Sequence, residues 1–262
     1  MTRSDFDGRK ALVTGAGSGI GKGAALRLAA EGAFVGLLGR TESELQETLE
    51  EIRALGGDGM VLIADVSRAD EMQAAFEGFV AQTGGLDILV ANAGINGTWA
   101  PIDELMPDEF DQTVAINLRG TYLTLHFGVG QMKENGGAIV VVSSINGTRT
   151  FTTPGASAYS ATKAAQLAMV QQLAVELAKH RIRINAVCPG AIQTKIEDNT
   201  AVRNRAGAEE PVEFPHGDIP LTDGEPGSVE AVAEAIAFLA SDAASHVTGS
   251  PLWIDGGQSL LR

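Results

Sequence analysis

The segment KALVTGAGSGIG, residues 10–21, runs from a short β-rich stretch straight into clustered glycines, and a helical segment rich in alanine and leucine follows. Glycine tolerates positive φ and lets backbone N–H groups approach a phosphate closely. The helix N-terminus adds further donors and a partial positive charge. Between the first strand and the first helix of a βαβ unit, this pattern predicts a nucleotide or dinucleotide site. The residues expected to contact the ligand are Gly15, Gly17, Ser18, Gly19, Ile20 and Gly21.

Strand-like and helix-like segments alternate along the rest of the chain. The helix candidates lie near residues 19–31, 41–55, 68–83, 107–133, 156–179 and 228–241. The strand candidates are Lys10–Thr14, Ala33–Leu38, Gly59–Ile63, Leu86–Ala91, Gly137–Ser143, Ile182–Cys188 and Pro251–Ile254. Because near-continuous apolar strands alternate with helices, the sequence predicts the α/β class: a doubly wound, mostly seven-stranded parallel sheet with helices on both faces, the Rossmann fold. No linker interrupts the series, so we expect residues 1–262 to form a single domain.

Composition restricts the classes of function. The chain has 262 residues, of which 33 are acidic and 19 basic, giving a formal net charge of −14. This balance lacks the positive surface that binds a phosphate backbone, which disfavours nucleic acid as a partner. A single cysteine, Cys188, excludes an internal disulfide, and no metal-ligand spacing is present. Because the chain starts without an apolar stretch and has no run of about 18 apolar residues, we expect a soluble, cytoplasmic protein without membrane contact.

The residues that follow the second strand candidate indicate which dinucleotide binds. An acidic residue there accepts the ribose hydroxyls of NAD, whereas this sequence has Gly39 and Arg40. A guanidinium can take a 2′-phosphate through paired hydrogen bonds, and a carboxylate would repel it. We therefore favour NADP(H) over NAD(H) as the cofactor. The alternative is that Arg40 is a solvated residue at a helix start. Ser18, in the glycine-rich loop, adds no second basic group that could bind the 2′-phosphate.

Asp65 ends the third strand candidate, at the sheet edge where cofactors bind. Its carboxylate could accept a hydrogen bond from the adenine amino group while Val66 packs on the ring. It could also be the N-cap of the following helix. The two interpretations do not exclude each other.

Tyr159 and Lys163 lie four residues apart in a helical segment, so both side chains share one helix face. A free tyrosine, with a pKa near ~10, is a poor base at neutral pH. A nearby ammonium together with an oxidised nicotinamide would lower that pKa, and Tyr159 could then exchange a proton with a carbonyl or an alcohol. Such a pair alone is usually solvent-exposed and has no catalytic role. Here, however, Ser143 and Ser144 end one strand at the ligand-binding edge, and Asn92-Ala93-Gly94 follows another.

Together these segments resemble the short-chain dehydrogenase/reductase family, in the single-domain branch with 3-oxoacyl-carrier-protein reductase-like and glucose dehydrogenase-like members. The resemblance covers residues 8–262 and depends on motifs that occur in the same order as in the family. These are the loop Thr14–Gly21, Asp65, Asn92-Ala93-Gly94, Asn117, Ser144, Tyr159-x-x-x-Lys163 and Pro189-Gly190-x-x-x-Thr194.

The resemblance implies a role for each of these residues. Tyr159 would be the general acid/base, Ser144 would orient the substrate oxygen, and Lys163 would lower the pKa of Tyr159 and hold the nicotinamide ribose. Asn117 would anchor a water that extends a proton relay from Lys163 to solvent. Further cofactor contacts are implied for Asn92, Ala93, Gly94, Pro189, Gly190, Ile192 and Thr194. Because Asn146–Ala158 is longer than is usual in the family, the choice between Ser143 and Ser144 stays open at this point.

Residues 191–227 show little periodicity and include Pro211, Pro215, Pro220 and Pro226. A loop of this length in a compact domain is usually functional, so we expect a lid over the substrate. The pocket beneath it is expected to include residues 95–101 and 144–154. Arg149 could pair with an acidic group of the substrate or be solvated, and His216 reads as an ordinary loop histidine.

The reaction expected from these parts is hydride transfer between NADP(H) and a ketone or secondary alcohol. The alternatives are an NAD-dependent alcohol dehydrogenase, an epimerase or dehydratase on the same scaffold, and a catalytically silent dinucleotide-binding regulator. The resemblance also implies a homotetramer, formed through the long helices at 107–133 and 156–179. Leu260 and Leu261 in the apolar C-terminal tail favour burial against a neighbouring subunit.

Overall fold

The computed structural model describes residues 6–194, 199–214 and 217–261. Its strands follow the predicted positions closely, and most boundaries differ from the prediction by one or two residues. They are β1 (Lys10–Thr14), β2 (Phe34–Gly39), β3 (Asp58–Ile63), β4 (Ile88–Ala91), β5 (Gly97–Trp99), β6 (Gly137–Val142), β7 (Ile182–Pro189), β8 (Thr200–Val202) and β9 (Pro251–Ile254).

Seven of these strands form one parallel sheet in the order β3-β2-β1-β4-β6-β7-β9. The strand order reverses at β1, where Leu12 pairs with Gly36 of β2 on one side and with Leu89 of β4 on the other. In a doubly wound sheet, a crevice opens at the carboxyl ends of the strands beside such a reversal. The predicted fold class is confirmed, and the crevice lies at the ends of β1 and β4.

Helices cover both faces of the sheet. They are α1 (Gly19–Ala30), α2 (Glu42–Ala54), α3 (Ala69–Thr83), α4 (Pro107–Thr113), α5 (Gly120–Met132), α6 (Ser157–Ala178), α7 (Arg205–Ala208) and α8 (Val229–Ala240). The alternation of side chains along β1 divides the core: Ala11 and Val13 face the layer of α1, α2 and α8, and Leu12 faces the layer of α3, α5 and α6. No helix among the described residues is long and apolar enough to cross a membrane.

The helix predicted for 107–133 is confirmed in extent, since the backbone is helical from Pro107 to Met132, but it is not α-helical throughout. A π-helical segment, Val114–Arg119, lies between α4 and α5 and carries Asn117. The wider turn brings Gly120 against Val66, where a Cβ on Gly120 would lie 2.7 Å from Val66 Cγ2. Mid-helix π-segments are often found at functional sites.

The expected lid, residues 191–227, is more ordered than its sequence indicates. Its strand β8 pairs in parallel with β5, which lies in the predicted pocket, and α7 follows. Both strands have only three residues, too few for a periodic pattern to appear. Residues 195–198 and 215–216, and with them His216, lie outside the described residues.

Candidate active site

The glycine-rich loop turns tightly between β1 and α1. Gly15 has a φ of +67°, and a Cβ on Gly21 would lie 2.1 Å from the Gly15 carbonyl oxygen, so the turn closes only with glycine at both positions. The Gly15 N–H donates to the Leu38 carbonyl at 2.7 Å, which fixes the loop to β2. The loop therefore leads into the N-terminus of α1 in a shape that suits a pyrophosphate.

Asn92 holds this loop from the neighbouring strand. Its Nδ2 donates to the carbonyls of Thr14 at 3.0 Å and Gly15 at 3.3 Å. The backbone N–H groups of Asn92 and Ala93 both donate to Thr14 Oγ1, at 3.0 and 3.1 Å. A Cβ on Gly94, the next residue, would lie 3.2 Å from Asn117 Oδ1. The Asn92-Ala93-Gly94 segment thus joins the phosphate-binding loop to the catalytic side of the crevice.

Arg40 and Asp65 lie together at the β2 and β3 ends. Arg40 Nη1 is 3.9 Å from Asp65 Oδ2, and the Arg40 side chain is 62% exposed. Burial opposes ionisation of Asp65, but hydrogen bonds from Ser67 and the charges of Arg40 and Arg68 outweigh it, so the pKa of Asp65 lies below its ordinary value. The corner therefore presents an accessible guanidinium beside an ionised carboxylate.

The interpretation of Asp65 as an N-cap is wrong. Helix α3 begins at Ala69 with Arg68 in the N-cap position, and Asp65 instead accepts from the Ser67 backbone N–H at 2.9 Å and from Ser67 Oγ at 2.8 Å. The carboxylate closes a turn of its own, because aspartate bonds readily to the backbone two residues on. The neighbouring Val66 is buried.

Sequence reasoning missed Glu44, in the first turn of α2. A Cβ on Gly17 would lie 2.9 Å from Glu44 Cβ and 3.1 Å from Glu44 Oε2. The helix therefore packs directly on the phosphate-binding loop and brings a carboxylate to its edge. Only the contact between α2 and the loop, which the sequence does not show, reveals this residue.

Tyr159, Lys163 and Ser144 meet at the carboxyl end of β6. The Ser144 hydroxyl lies beside the phenol of Tyr159, where it opposes the rise that burial causes in the pKa of the phenol. Lys163 Nζ lies 5.5 Å from the centroid of the Tyr159 ring and donates to the Val142 carbonyl at 2.9 Å. Ser143 Oγ donates instead to the backbone carbonyl of Lys163 at 2.9 Å. Of the two serines, Ser144 is thus the one beside the phenol.

Burial is the main influence on the pKa values of both Tyr159 and Lys163. Burial raises the pKa of Tyr159 above its ordinary value, although the hydrogen bond from Ser144 opposes this. Burial also lowers the pKa of Lys163, to about 8. That Lys163 together with an oxidised nicotinamide lowers the pKa of Tyr159 stays a prediction.

Asn117 is fully buried in the π-helical segment. Its Oδ1 accepts from the Ile95 N–H and its Nδ2 donates to the Ile95 carbonyl, both at 2.8 Å. Nδ2 also lies 3.2 Å from Thr162 Oγ1 on α6. The side chain thus fixes the segment after Gly94 against the helix that carries Tyr159.

The remaining predicted cofactor residues follow β7. The Gly190 N–H donates to the Ile254 carbonyl at 3.0 Å, and Ile192 forms an isolated bridge with Gly227. The Cγ2 atom of Thr194 lies 3.4 Å from the position of a Cβ on Gly19. The chain after Pro189 therefore reaches the glycine-rich loop at Gly19.

On the substrate side, the Trp99 ring lies 6.5 Å from the Tyr159 ring, and Trp99 Nε1 donates to the Asn96 carbonyl. The Arg149 guanidinium lies 3.4 Å from the centroid of the Trp253 ring, and its charge helps to lower the pKa of Asp255. The segments 100–102 and 147–157 line a cavity of about 490 Å³ with Ser160 and Ala164. Neither Ser144 nor Tyr159 lines it.

Strand β8 and the residues after it are attached to this side. Asn96 Nδ2 donates to Thr200 Oγ1 at 2.8 Å. Arg203 donates its backbone N–H to the Trp99 carbonyl at 2.9 Å, and its guanidinium bonds to the Glu104 carbonyl and the Glu109 carboxylate. The lid segment is thus tied to the loop that packs against Tyr159.

Comparison with known proteins gives consistent results. Residues 15–259 match the family model described as enoyl-(acyl carrier protein) reductase. The crystal structure of a 3-ketoacyl-ACP reductase from Sinorhizobium meliloti is 61% identical, with a TM-score of 0.93, and 97% of this chain covers 100% of that one. A glucose 1-dehydrogenase of Gluconobacter oxydans is 36% identical over 97% of this chain and 93% of its own length. A Brucella melitensis 3-ketoacyl-(acyl-carrier-protein) reductase, solved with NADH, is 34% identical with a TM-score of 0.84 and coverages of 97% and 99%.

Proposed function

The chain belongs to the short-chain dehydrogenase/reductase family, and from this premise we propose that it transfers a hydride between NADP(H) and a ketone or secondary alcohol, with Tyr159 as general acid/base. The family assigns it to the NAD(P)-dependent oxidoreductases acting on CH–OH or C=O groups. The observation that carries the proposal is the buried Tyr159 phenol, which lies beside the buried Ser144 at the sheet edge next to the glycine-rich loop.

In this proposal the bound cofactor supplies or accepts the hydride, and side chains of the protein donate or accept the proton. Tyr159 donates its phenolic proton to the carbonyl oxygen during reduction. Ser144 donates a hydrogen bond to the same oxygen as negative charge develops there. Because burial raises the pKa of Tyr159, the phenol stays protonated at neutral pH, which suits the direction of reduction. Lys163 binds the nicotinamide ribose.

We assign cofactor binding to the residues that the sequence singled out, since the cradle they form fits a dinucleotide. The turn closed by Gly15 and Gly21 would lose its shape with any Cβ there. Arg40 offers an exposed guanidinium for a 2′-phosphate, and Asp65 with Val66 borders the adenine side. The segment from Pro189 to Thr194 covers the other end.

A second candidate, NAD(H), is favoured by Glu44. Its carboxylate beside Gly17 would repel a 2′-phosphate, and it could accept a hydrogen bond from a ribose hydroxyl instead. The Brucella relative was solved with NADH. The two candidates differ in which charge acts more strongly on the adenosine ribose: Arg40, which would bind a 2′-phosphate, or Glu44, which would repel it.

Replacing Arg40 by alanine distinguishes these candidates. If Arg40 binds the 2′-phosphate, Arg40→Ala weakens NADPH binding about tenfold or more, because a charge-assisted hydrogen bond is lost, and leaves NADH binding nearly unchanged. Calorimetric titration of both cofactors into both proteins measures this. Arg53→Ala is the matched control, since Arg53 is 59% exposed and lies 3.8 Å from Asp58 in a similar ion pair. Equal losses for the two cofactors, or none, would remove Arg40 from cofactor selection.

We further propose that residues 191–227 close over the substrate as a lid held by Arg203. Arg203→Ala should then raise KM for the ketone several-fold while leaving the Kd of NADPH unchanged, because the lid segment loses two of its attachments to residues 104–109. Arg205→Ala is the control, since Arg205 pairs with Glu209 at 3.1 Å, inside the same segment. Steady-state kinetics of both variants on one ketone measures this difference. Equal KM values for Arg203→Ala and Arg205→Ala would show that the Arg203 attachment does not serve substrate binding.

For assembly we propose a homotetramer. Large apolar side chains are exposed on the two long helices and at the C-terminus, among them Tyr122 on α5, Val175 on α6 and Leu260. Exposed apolar surface of this kind is often buried in an oligomer. Light scattering on the eluted protein measures the mass directly.

A further inference from the structure

The C-terminal turn after β9 holds the side chain of Gln258 between two segments that are distant in the sequence. Gln258 is buried, and its Oε1 accepts from the Ala191 N–H at 2.9 Å. Its Nε2 donates to Asp218 Oδ2, also at 2.9 Å. A single amide thus joins the first residue of the lid segment, 191–227, to a residue in the second half of that segment.

These two partners fix the orientation of the Gln258 amide. A backbone N–H can only donate a hydrogen bond, and a carboxylate can only accept one. A flipped amide would set Nε2 against the Ala191 N–H and Oε1 against the Asp218 carboxylate. Both of those contacts would be repulsive, so the amide fits only with its oxygen toward Ala191.

The turn that carries Gln258 is shaped by Asp255. The Asp255 carboxylate accepts from the backbone N–H groups of Gly257 and Ser259, both at 3.0 Å. The turn is also bonded to the lid segment through the backbone, since the Gly256 carbonyl accepts from the Leu221 N–H at 3.0 Å. The C-terminal turn is therefore fixed internally and attached to the lid close to the residue that Gln258 binds.

The other partner of Gln258 belongs to the segment that we assign to the cofactor. A Cβ on Gly190 would lie 2.7 Å from Gln258 Oε1, so the amide packs directly on this segment. Farther along the same segment, Thr194 reaches Gly19, where α1 begins. A shift of the Gln258 side chain would therefore move the part of the chain that borders the glycine-rich loop.

We propose that Gln258 is a positioning residue whose amide fixes the cofactor segment at Ala191 relative to the lid segment at Asp218. Because the amide is buried, losing either partner would leave a polar atom without a hydrogen bond, and this cost links the position of Ala191 to that of Asp218. The proposal rests on the proposed function, since it concerns the cofactor and the substrate that these two segments bind.

An exchange of donor and acceptor tests the proposal without any turnover. Gln258→Glu sets a second carboxyl group against Asp218, and two ionised carboxylates at this distance repel each other. At about pH 7.5 we expect amide hydrogen exchange in residues 190–194 and 217–227 to become about fivefold faster or more. Adding Asp218→Asn supplies an amide donor and should restore wild-type exchange. Asp218→Asn alone keeps an acceptor for Nε2 and should also exchange like the wild type.

Binding and kinetics provide the second measurement. At about pH 7.5, Gln258→Glu should raise the Kd of NADP⁺ and NAD⁺ and the KM of the ketone about tenfold. The kcat should stay within about threefold of the wild type, because β6 and α6 hold Ser144 and Tyr159. Gln73→Glu is the matched control: Gln73 is exposed on α3, and its Nε2 donates to Glu77 Oε1 at 2.8 Å. This control should leave Kd, KM and kcat unchanged.

The pH dependence separates repulsion from a simple loss of packing. Near about pH 5.5 the two carboxyl groups of the Gln258→Glu protein share one proton, and the rise in the cofactor Kd should shrink to about twofold. Burial opposes ionisation of Asp255 in the same turn, but hydrogen bonds from Ser259 and Gly257 and the charge of Arg149 outweigh it, so the pKa of Asp255 lies below its ordinary value. Asp255 therefore stays ionised at both pH values.

Several outcomes would overturn the proposal. An equal rise in Kd at both pH values, or no rescue by Asp218→Asn, would show that the bond to Asp218 does not position the cofactor segment. A lower unfolding temperature with unchanged Kd and KM would give Gln258 a structural role only. If Gln258→Glu does not fold, Asp218→Ala replaces it: we expect faster exchange in 217–227 and a raised Kd of NADP⁺, and an unchanged Kd contradicts the proposal.

The proposed function can fail separately. If the wild-type protein reduces no ketone in a panel of 3-oxo esters and cyclic ketones, hydride transfer to such substrates is not its activity. The hydrogen exchange and the cofactor titrations still decide the role of Gln258 in that case, since neither requires turnover.

Discussion

Tyr159→Phe should lower kcat for ketone reduction by about 10³-fold, within the range ordinarily found for a lost general acid. The substitution removes only the phenolic oxygen, and the ring keeps its packing against Trp99. The Kd of NADPH should remain nearly unchanged, because the phenol acts on the substrate oxygen. Reduction is followed through NADPH absorbance, and binding through calorimetry on the same preparation.

The chain offers a matched control for this substitution. Its other tyrosine, Tyr122 on α5, is 51% exposed, and its hydroxyl takes no part in the hydrogen bonds around Ser144. Tyr122→Phe should therefore retain wild-type kcat. If Tyr159→Phe kept turnover within a few-fold of the wild type, Tyr159 would not be the proton donor. A matching loss in Tyr122→Phe would point to damaged assembly rather than to chemistry.

The framework of the site was predictable from the sequence because local signals determine it. The apolar strands set the sheet, and Thr14 to Gly21 can only form a tight loop, as the Cβ clash at Gly21 shows. The i, i+4 spacing of Tyr159 and Lys163 placed both on one helix face. These features depend on neighbours in sequence, so that one chain suffices to find them.

The features that were missed arise from contacts between distant segments. Glu44 meets Gly17 only because α2 packs on the loop, and Gln258 meets Ala191 across 67 positions of sequence. The pairing of β5 with β8 joins segments too short to show a period. The sequence likewise shows that an ammonium lies near Tyr159, but not that burial raises the pKa of the phenol.

Lys163→Met should separate activity from stability. We expect kcat to fall at least about 10²-fold, because the cofactor ribose and the proton path lose their cation. We also expect the free energy of unfolding at pH 7 to stay equal or to rise. Lys163 is 4% exposed, and its pKa in the folded chain is about 8, against an ordinary value of about 10.4. Holding the ammonium in this place at neutral pH therefore costs about 3 kcal/mol.

Methionine removes that cost and also removes the hydrogen bond to Val142, a loss of about 1–3 kcal/mol. The sign of the pH dependence follows from the lowered pKa. Between about pH 8 and 10.4 the unfolded chain binds the proton that the folded chain has lost, so wild-type stability gains a contribution as pH rises through this window. Lys163→Met lacks that contribution, and any advantage it has at pH 7 should disappear by about pH 10.4.

Denaturant unfolding of the cofactor-free proteins at pH 7 and pH 10 measures this difference. Lys179→Met, at the exposed end of α6, should show neither the loss of activity nor the change with pH. A Lys163→Met protein that is less stable than the wild type by several kcal/mol at pH 7 would mean that the ammonium is held by stronger interactions than the bond to Val142. In that case Lys163 would be part of the structural core, and its buried charge would not need the cofactor to explain it. Unchanged or greater stability with lost activity would instead show that the fold tolerates an unfavourable buried charge for the sake of the reaction.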